Sequence, residues 1–160
     1  MRDLLNAAEM KAVDKRSIEE YGIPSLVLME RAALEVVKRA RELLEPGLSG
    51  NEALEHGPGR ERLLKERKRK TVWAVCGLGN NGADGAAAAR MLALQGFSAV
   101  ILLPSLEGKR SRELEVQLSV AEKLGIPILT LGDPLPEACD LIIDAVFGIG
   151  LSRPVEGVYK

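Results

Sequence analysis

The spacing of apolar positions divides the chain into helices first and strands later. Leu4 to Tyr21 reads as a helix, stopped by Gly22 with Pro24 just beyond. Ser25 is the expected cap of a second helix. Met29, Ala32, Ala33, Val36, Val37, Ala40, Leu43 and Leu44 follow a 3.6-residue period there, closed by Pro46-Gly47. From Thr71 the period changes. TVWAVC, SAVILLP, IPILTL and CDLIIDAVFG are short, near-continuous apolar runs rich in β-branched residues, as in strands covered on both sides. Between them lie an alanine-rich helix from about Gly82 to Gln95, closed by Gly96, and a helix over 109–124 closed by Gly125. Strands alternating with helices predict an α/β fold: a three-layer, Rossmann-like α/β/α arrangement around a mostly parallel sheet.

Residues 46–70 interrupt this rhythm. PGLSGNEALEHGPGR holds four glycines and two prolines and reads as a loop. The charged stretch that follows, ending in KERKRK, reads as a solvated helix end. No aromatics interleave with it, so it is not taken for a nucleic-acid patch. His56, the only histidine, sits in the loop with no partner that would make it a catalytic base.

Composition narrows the class without naming a chemistry. A chain of 160 residues with 46% hydrophobic content can bury a core as one domain. The net charge of −1 supplies no field to gather nucleic acid or an anionic membrane. The two cysteines, Cys76 and Cys139, form neither a disulfide framework nor a zinc motif, and Cys76 is expected as a small buried strand residue. No apolar run is long enough to cross a bilayer and the charged start is no secretory signal, so a soluble cytoplasmic protein is expected. The fourth strand ends near Val146 and only a glycine-rich loop follows before Lys160. Doubly wound sheets commonly carry more strands, so the domain over 1–160 is expected to be incomplete at its C-terminus.

In open α/β sheets ligands bind beyond the carboxyl ends of the strands, where two loops stand out. The first is GLGNNGADG, Gly77 to Gly85. Its glycines permit positive φ and close approach, and the helix start offers free N–H groups to a phosphate. Asn80 and Asn81 supply donors and acceptors, and Asp84 places a carboxylate in the first turn, either as dipole compensation or as an acceptor for sugar hydroxyls or a cation. The second is GIGLSRP, Gly148 to Pro154, in which Gly148 and Gly150 allow close approach and Arg153 can reach a phosphate. Asp144, inside the run LIIDAVFG, is expected to be buried and therefore paired. It is read either as a structural acceptor of backbone N–H groups or, with an Asn side chain and backbone carbonyls, as part of an all-oxygen cage suited to a hard cation.

Three segments together resemble a known family. LVLMERAA (Leu26 to Ala33), GLGNNGADG and DAVFGIGLSRPVEG (Asp144 to Gly157) occur in the order and spacing of the YjeF N-terminal domain, the NAD(P)HX epimerases. The resemblance implies a Rossmann-like fold, often dimeric, that interconverts the R and S forms of hydrated NADH and NADPH so that a partner dehydratase can restore the cofactor. It implies that Asn80, Asn81, Gly82, Ala83 and Asp84 contact the hydrated nucleotide and that Asn81 and Asp144 bind potassium. Gly148, Ile149, Gly150, Leu151, Ser152, Arg153 and Pro154 would form the second wall. Ala83 stands where the family usually has glycine. No catalytic acid or base can be assigned, because the family's next motif would lie past Lys160. Two other readings compete: a non-catalytic nucleotide-binding or scaffold module of the same fold, and an ordinary NAD-dependent oxidoreductase. Against the latter, the first loop lacks a clean G-x-G-x-x-G and the second strand ends in LLPS, with no acid for a ribose.

Overall fold

β1 (Thr71–Cys76) is the centre from which the architecture grows. It pairs in parallel with β2 (Ser98–Leu103) on one side and β4 (Leu141–Ala145) on the other, and β2 carries β3 (Ile128–Thr130) outside it. The sheet order is therefore β3-β2-β1-β4, all parallel. The helices are α1 (Ala7–Glu19), α2 (Ser25–Leu44), α3 (Asn80–Leu94) and α4 (Arg112–Lys123). This computed structural model describes residues 5–46, 61, 65–68, 70–149, 151 and 154–156.

Register decides which side chains meet. Val72, Ala74 and Cys76 of β1 lie level with Ala99 and Ile101 of β2 and with Leu141, Ile143 and Ala145 of β4. These positions share a face with the buried stripe of α2 (Met29, Ala33, Val37, Ala40, Leu44), most of α3, and Leu114, Leu118 and Ala121 of α4 in one core. α3 lies centrally, its alanines 86–89 fully buried, because a helix without bulky side chains can lie close to both the sheet and its flanking helices. The expected parallel α/β sheet is present, and the described helices α2, α3 and α4 supply this one core. On the other face Trp73 stands level with Val100 and Ile142, and Ile142 is 57% exposed.

Several local expectations shift. α1 begins after Asn6, which accepts from the N–H groups of Ala8 and Glu9, and α3 begins at Asn80 rather than Gly82. Ser25 is not the cap of α2. The N-cap is Pro24, and the Ser25 hydroxyl donates to Glu113 Oε1 at 2.6 Å, tying α2 to α4. Ala32, Val36 and Leu43 follow the period but lie outside the buried stripe.

The KERKRK stretch is more than a solvated helix end. Arg67 is buried and forms a two-pronged ion pair with buried Glu45, at 2.6 and 2.9 Å, while its guanidinium lies 5.3 Å from the Phe97 ring centre. The pair fastens the end of α2 to the segment entering β1, and breaking one partner would leave a buried charge uncompensated. His56 lies outside the described residues, and no described helix is long and apolar enough to cross a membrane.

Candidate functional site

The site is built where β1 and β4 end side by side. The Gly77 N–H continues the ladder by donating to Ala145 O at 3.0 Å, so the first loop leaves β1 against the end of β4. A side chain cannot fit there. A Cβ on Gly77 would stand 2.2 Å from Val146 O, one on Gly82 1.8 Å from Gly77 O, and one on Gly85 2.4 Å from the Ala145 Cβ. None of these glycines has a positive φ, so the expected conformational role is replaced by a steric one: they let strand end, loop and helix touch. Gly79 differs, because a Cβ there meets nothing within 4 Å.

Gly79 is the N-cap of α3 and makes no side-chain cap bond. The first intrahelical bond formed at this end runs from Ala83 N–H to Gly79 O at 3.2 Å. The amides of Asn80, Asn81 and Gly82 precede it and have no intrahelical acceptor. They point out of the helix at the carboxyl edge of the sheet, with the positive end of the helix dipole behind them, which is a binding arrangement for an anion.

The residues of the first loop divide by depth. Asn80 is exposed and Asn81 half-buried, both at the mouth. Gly82 and Ala83 are buried, and Ala83 lies in the core with its N–H already used, so its methyl group does not reach the loop surface. Ala83 thus packs behind the loop. Asp84 falls in the second turn of α3 rather than the first, because the helix starts earlier than its glycine pattern suggested. It is half-buried, and burial first, then the nearby negative charge of Asp14 on α1, pushes its carboxyl up to about 6. Cys76, directly behind the loop, behaves as the expected buried strand residue, its thiol pushed up to about 12 by burial.

The second loop comes against the first. A Cβ on Gly148 would stand 3.1 Å from Asn81 Oδ1 and 3.2 Å from Asn81 Cβ, so Gly148 lets the Asn81 side chain lie on the loop after β4. That loop turns back through Leu151 N–H to Gly148 O at 3.2 Å. Ile149, Leu151 and Pro154 are exposed, and Gly150, Ser152 and Arg153 lie outside the described residues.

Asp144 is exposed, so the expectation that burial forces it to pair does not hold. Its Oδ1 accepts the N–H of Val146 at 3.1 Å, the local structural role allowed for it, turned toward the strand's carboxyl end. The second carboxylate oxygen, Asn81 Oδ1 and nearby carbonyls are all hard oxygen donors. Among the described residues no group of three His, Cys, Asp or Glu gathers.

A third loop, residues 104–111 after β2, also joins the site and was not singled out from the sequence. Ser111 N–H donates to Leu78 O at 2.9 Å, and Gly108, at φ 113°, lies where a Cβ would come within 2.8 Å of Leu78 Cδ1. The signal was available: Gly108 falls between strand and helix, immediately before the basic pair Lys109-Arg110.

The profile of the family described as YjeF-related protein N-terminus matches residues 25–160. An NAD(P)H-hydrate epimerase of Limosilactobacillus fermentum is 40% identical over 156 residues, which is 97% of this chain and 64% of that protein. One from Oenococcus oeni is 42% identical over 146 residues, covering 90% of this chain and 58% of its own length. A bifunctional NAD(P)H-hydrate repair enzyme Nnr of Thermofilum pendens is 31% identical over 160 residues, 96% of this chain but 26% of the larger protein. The crystal structure of the yeast protein ynu0 superposes with a TM-score of 0.74 at 24% identity, over 97% of this chain and 60% of that one, and supports the fold. This chain thus spans under two thirds of the length of these relatives. With the profile running through α2, both glycine loops and the sheet between them, the chain belongs to the family of YjeF-related protein N-terminal domains.

Proposed function

We propose that this chain provides the nucleotide-binding part of an NAD(P)HX epimerase, an isomerase that interconverts the R and S hydrates of NADH and NADPH in nicotinamide nucleotide repair. The observation that carries the reading is the uncapped start of α3 held against the loop after β4 by the Asn81–Gly148 contact. In this reading the two loops are the walls of the nucleotide site and the first amides of α3 face it. The similarity to proteins named NAD(P)H-hydrate epimerase supplies the substrate.

In this reading the amides of Asn80, Asn81 and Gly82 receive the phosphate oxygens. The Asn80 and Asn81 side chains hydrogen-bond the polar part of the hydrated nucleotide, and Gly148 to Pro154 forms the second wall. Epimerisation requires the hydroxyl-bearing ring carbon to lose and regain its substituent, or the ring to open and reclose, with a proton moved at each stage. Asp84, with its carboxyl raised to about 6, is the described residue of the loop tuned to hold or release a proton near neutral pH. In this reading Asn81 and Asp144 would hold a potassium ion, which would offset the phosphate charge beside the Asp144 carboxylate. The reading places the protein in the cytoplasm, as a homodimer acting alongside an NAD(P)HX dehydratase, an activity that can be fused to the same chain, as the name of the bifunctional relative suggests.

The test is direct. Separately prepared S and R NADHX are incubated with the protein, with and without potassium, and interconversion is followed by chromatography. The reading expects each form to approach the same mixture, faster with potassium. Absence of interconversion under every condition refutes it.

A further inference from the structure

The loop over residues 104–111 sits at the carboxyl end of β2, next to the β1–α3 loop, because β2 is the neighbour of β1. In dinucleotide-binding sheets this is where the adenosine ribose lies when the pyrophosphate rests on the helix after β1. An acid at the end of the second strand holds a ribose 2′-hydroxyl, while a base there accommodates a 2′-phosphate. Here β2 ends in Leu103 and continues Pro104-Ser105, with no acid at that point. The loop then carries Lys109 and Arg110 against a single acid, Glu107.

The position of these bases is built rather than incidental. The bond from Ser111 N–H to Leu78 O, together with the close fit of Gly108 on Leu78, pins the loop to the β1–α3 loop. Arg110 donates to Leu106 O and so holds the loop closed, while its buried Nε has no hydrogen-bond partner. Glu107 is the one acid among residues 104–111, so the two bases leave the loop with a net positive charge for an anionic acceptor. Lys109 is exposed beside Arg110. The next acid along, Glu113, is engaged by the Ser25 hydroxyl.

We propose that Lys109 and Arg110 form a subsite for the 2′-phosphate of the adenosine ribose, so that the site prefers the phosphorylated hydrate NADPHX over NADHX. This rests on the nucleotide reading above, and it concerns binding alone.

The experiment compares adenosine 2′,5′-bisphosphate with adenosine 5′-monophosphate by titration calorimetry on the intact chain. The bisphosphate is expected to bind at least about tenfold more tightly, with the difference shrinking as salt rises. Lys109→Glu should abolish the difference while leaving monophosphate affinity and thermal stability unchanged. Arg110→Lys should keep a reduced preference, because charge survives but the planar fork does not. Equal binding of the two nucleotides by the unmodified chain overturns the subsite and leaves the nucleotide reading standing. So does a full preference retained in both Lys109→Glu and Arg110→Gln. Failure of both nucleotides to bind overturns the nucleotide reading and the subsite with it.

Discussion

α1 and α3 show two opposite ways of holding a helix. α1 carries a complete capping box, Asn6 with Glu9, and two ion pairs along its surface, Lys15–Glu19 and Arg16–Glu20, yet buries no residue. α3 has no side-chain cap and no acid in its first turn, yet buries nine residues. Local contacts of the α1 kind contribute about 1 kcal/mol for the cap and a few tenths for each exposed pair. Burial of Leu92 alone contributes roughly 2 kcal/mol to α3. α3 can therefore leave its first amides uncapped, and those amides face the site. The helix that holds the fold together is the one whose end is open to a ligand.

The largest effect expected in this comparison comes from the glycine that sets the start of α3. Gly82→Ala puts a methyl group 1.8 Å from Gly77 O, a backbone atom that cannot give way without moving β1 or α3. The expected loss is on the order of 3 kcal/mol or more, seen as a collapsed melting temperature or insoluble protein. Gly79→Ala, three residues away with nothing within 4 Å, is expected to melt close to the parent. Similar melting of both variants would show that the two glycines do not differ as the geometry requires.

The contrast also explains what the sequence revealed. The parallel α/β order was legible because β1, β2 and the alanine-rich helix are strongly patterned. The two glycine loops were legible because their position at strand ends follows from that order. Three things were not. Arg67 stands in a run of bases, and only the tertiary position of Glu45 makes it a buried partner. Asp144 sits in an apolar strand and looked buried, but the register places it on the face of exposed Ile142. α3 starts two residues before the point its glycine pattern indicates, because packing overrides the poor helix preference of glycine and asparagine. That shift moved Asp84 from the dipole's end into the second turn, where burial governs it.

Asp84 provides the next test, of moderate size. Its folded carboxyl is raised to about 6 from an ordinary 3.8, so folding opposes its ionisation. The group's relative contribution to stability is fullest below 3.8 and is lost as pH rises through about 6. Asp84→Asn should therefore stabilise the protein at pH 7, by on the order of 1 kcal/mol once solvent screening is allowed for. The gain should fade on acidification and vanish below the unfolded value. Urea midpoints measured across pH decide it, and a gain independent of pH would remove ionisation as the cause. Asp14→Asn should reproduce a smaller part of the gain, since Asp14 is the lesser cause.

On the α1 side the effect should be local. Asn6→Ala removes the acceptor of two amides and half of the capping box, about 1 kcal/mol of helix stability. Because no residue of α1 is buried, that loss should appear as faster amide exchange over residues 7–10, with the global melting temperature shifted little. A large global shift would mean that α1 carries more of the fold than its burial indicates.

The smallest change in stability is expected at Gly79, and it bears most directly on why α3 is left open. Serine at an N-cap accepts a bond from the N2 or N3 amide, here Asn81 or Gly82, and exceeds glycine there by only a few tenths of a kcal/mol. The position has room, since a Cβ meets nothing within 4 Å, so Gly79→Ser should fold and be marginally more stable. The amide that it satisfies is one that the proposed nucleotide needs. Affinity for adenosine 5′-monophosphate should therefore fall several-fold while stability rises slightly, and Gly79→Ala, which adds bulk without an acceptor, should lose less affinity. If Gly79→Ser and Gly79→Ala weaken binding equally, bulk rather than the amide is responsible, and the uncapped end of α3 is no anion site. A loss confined to the serine variant ties the missing cap to ligand binding.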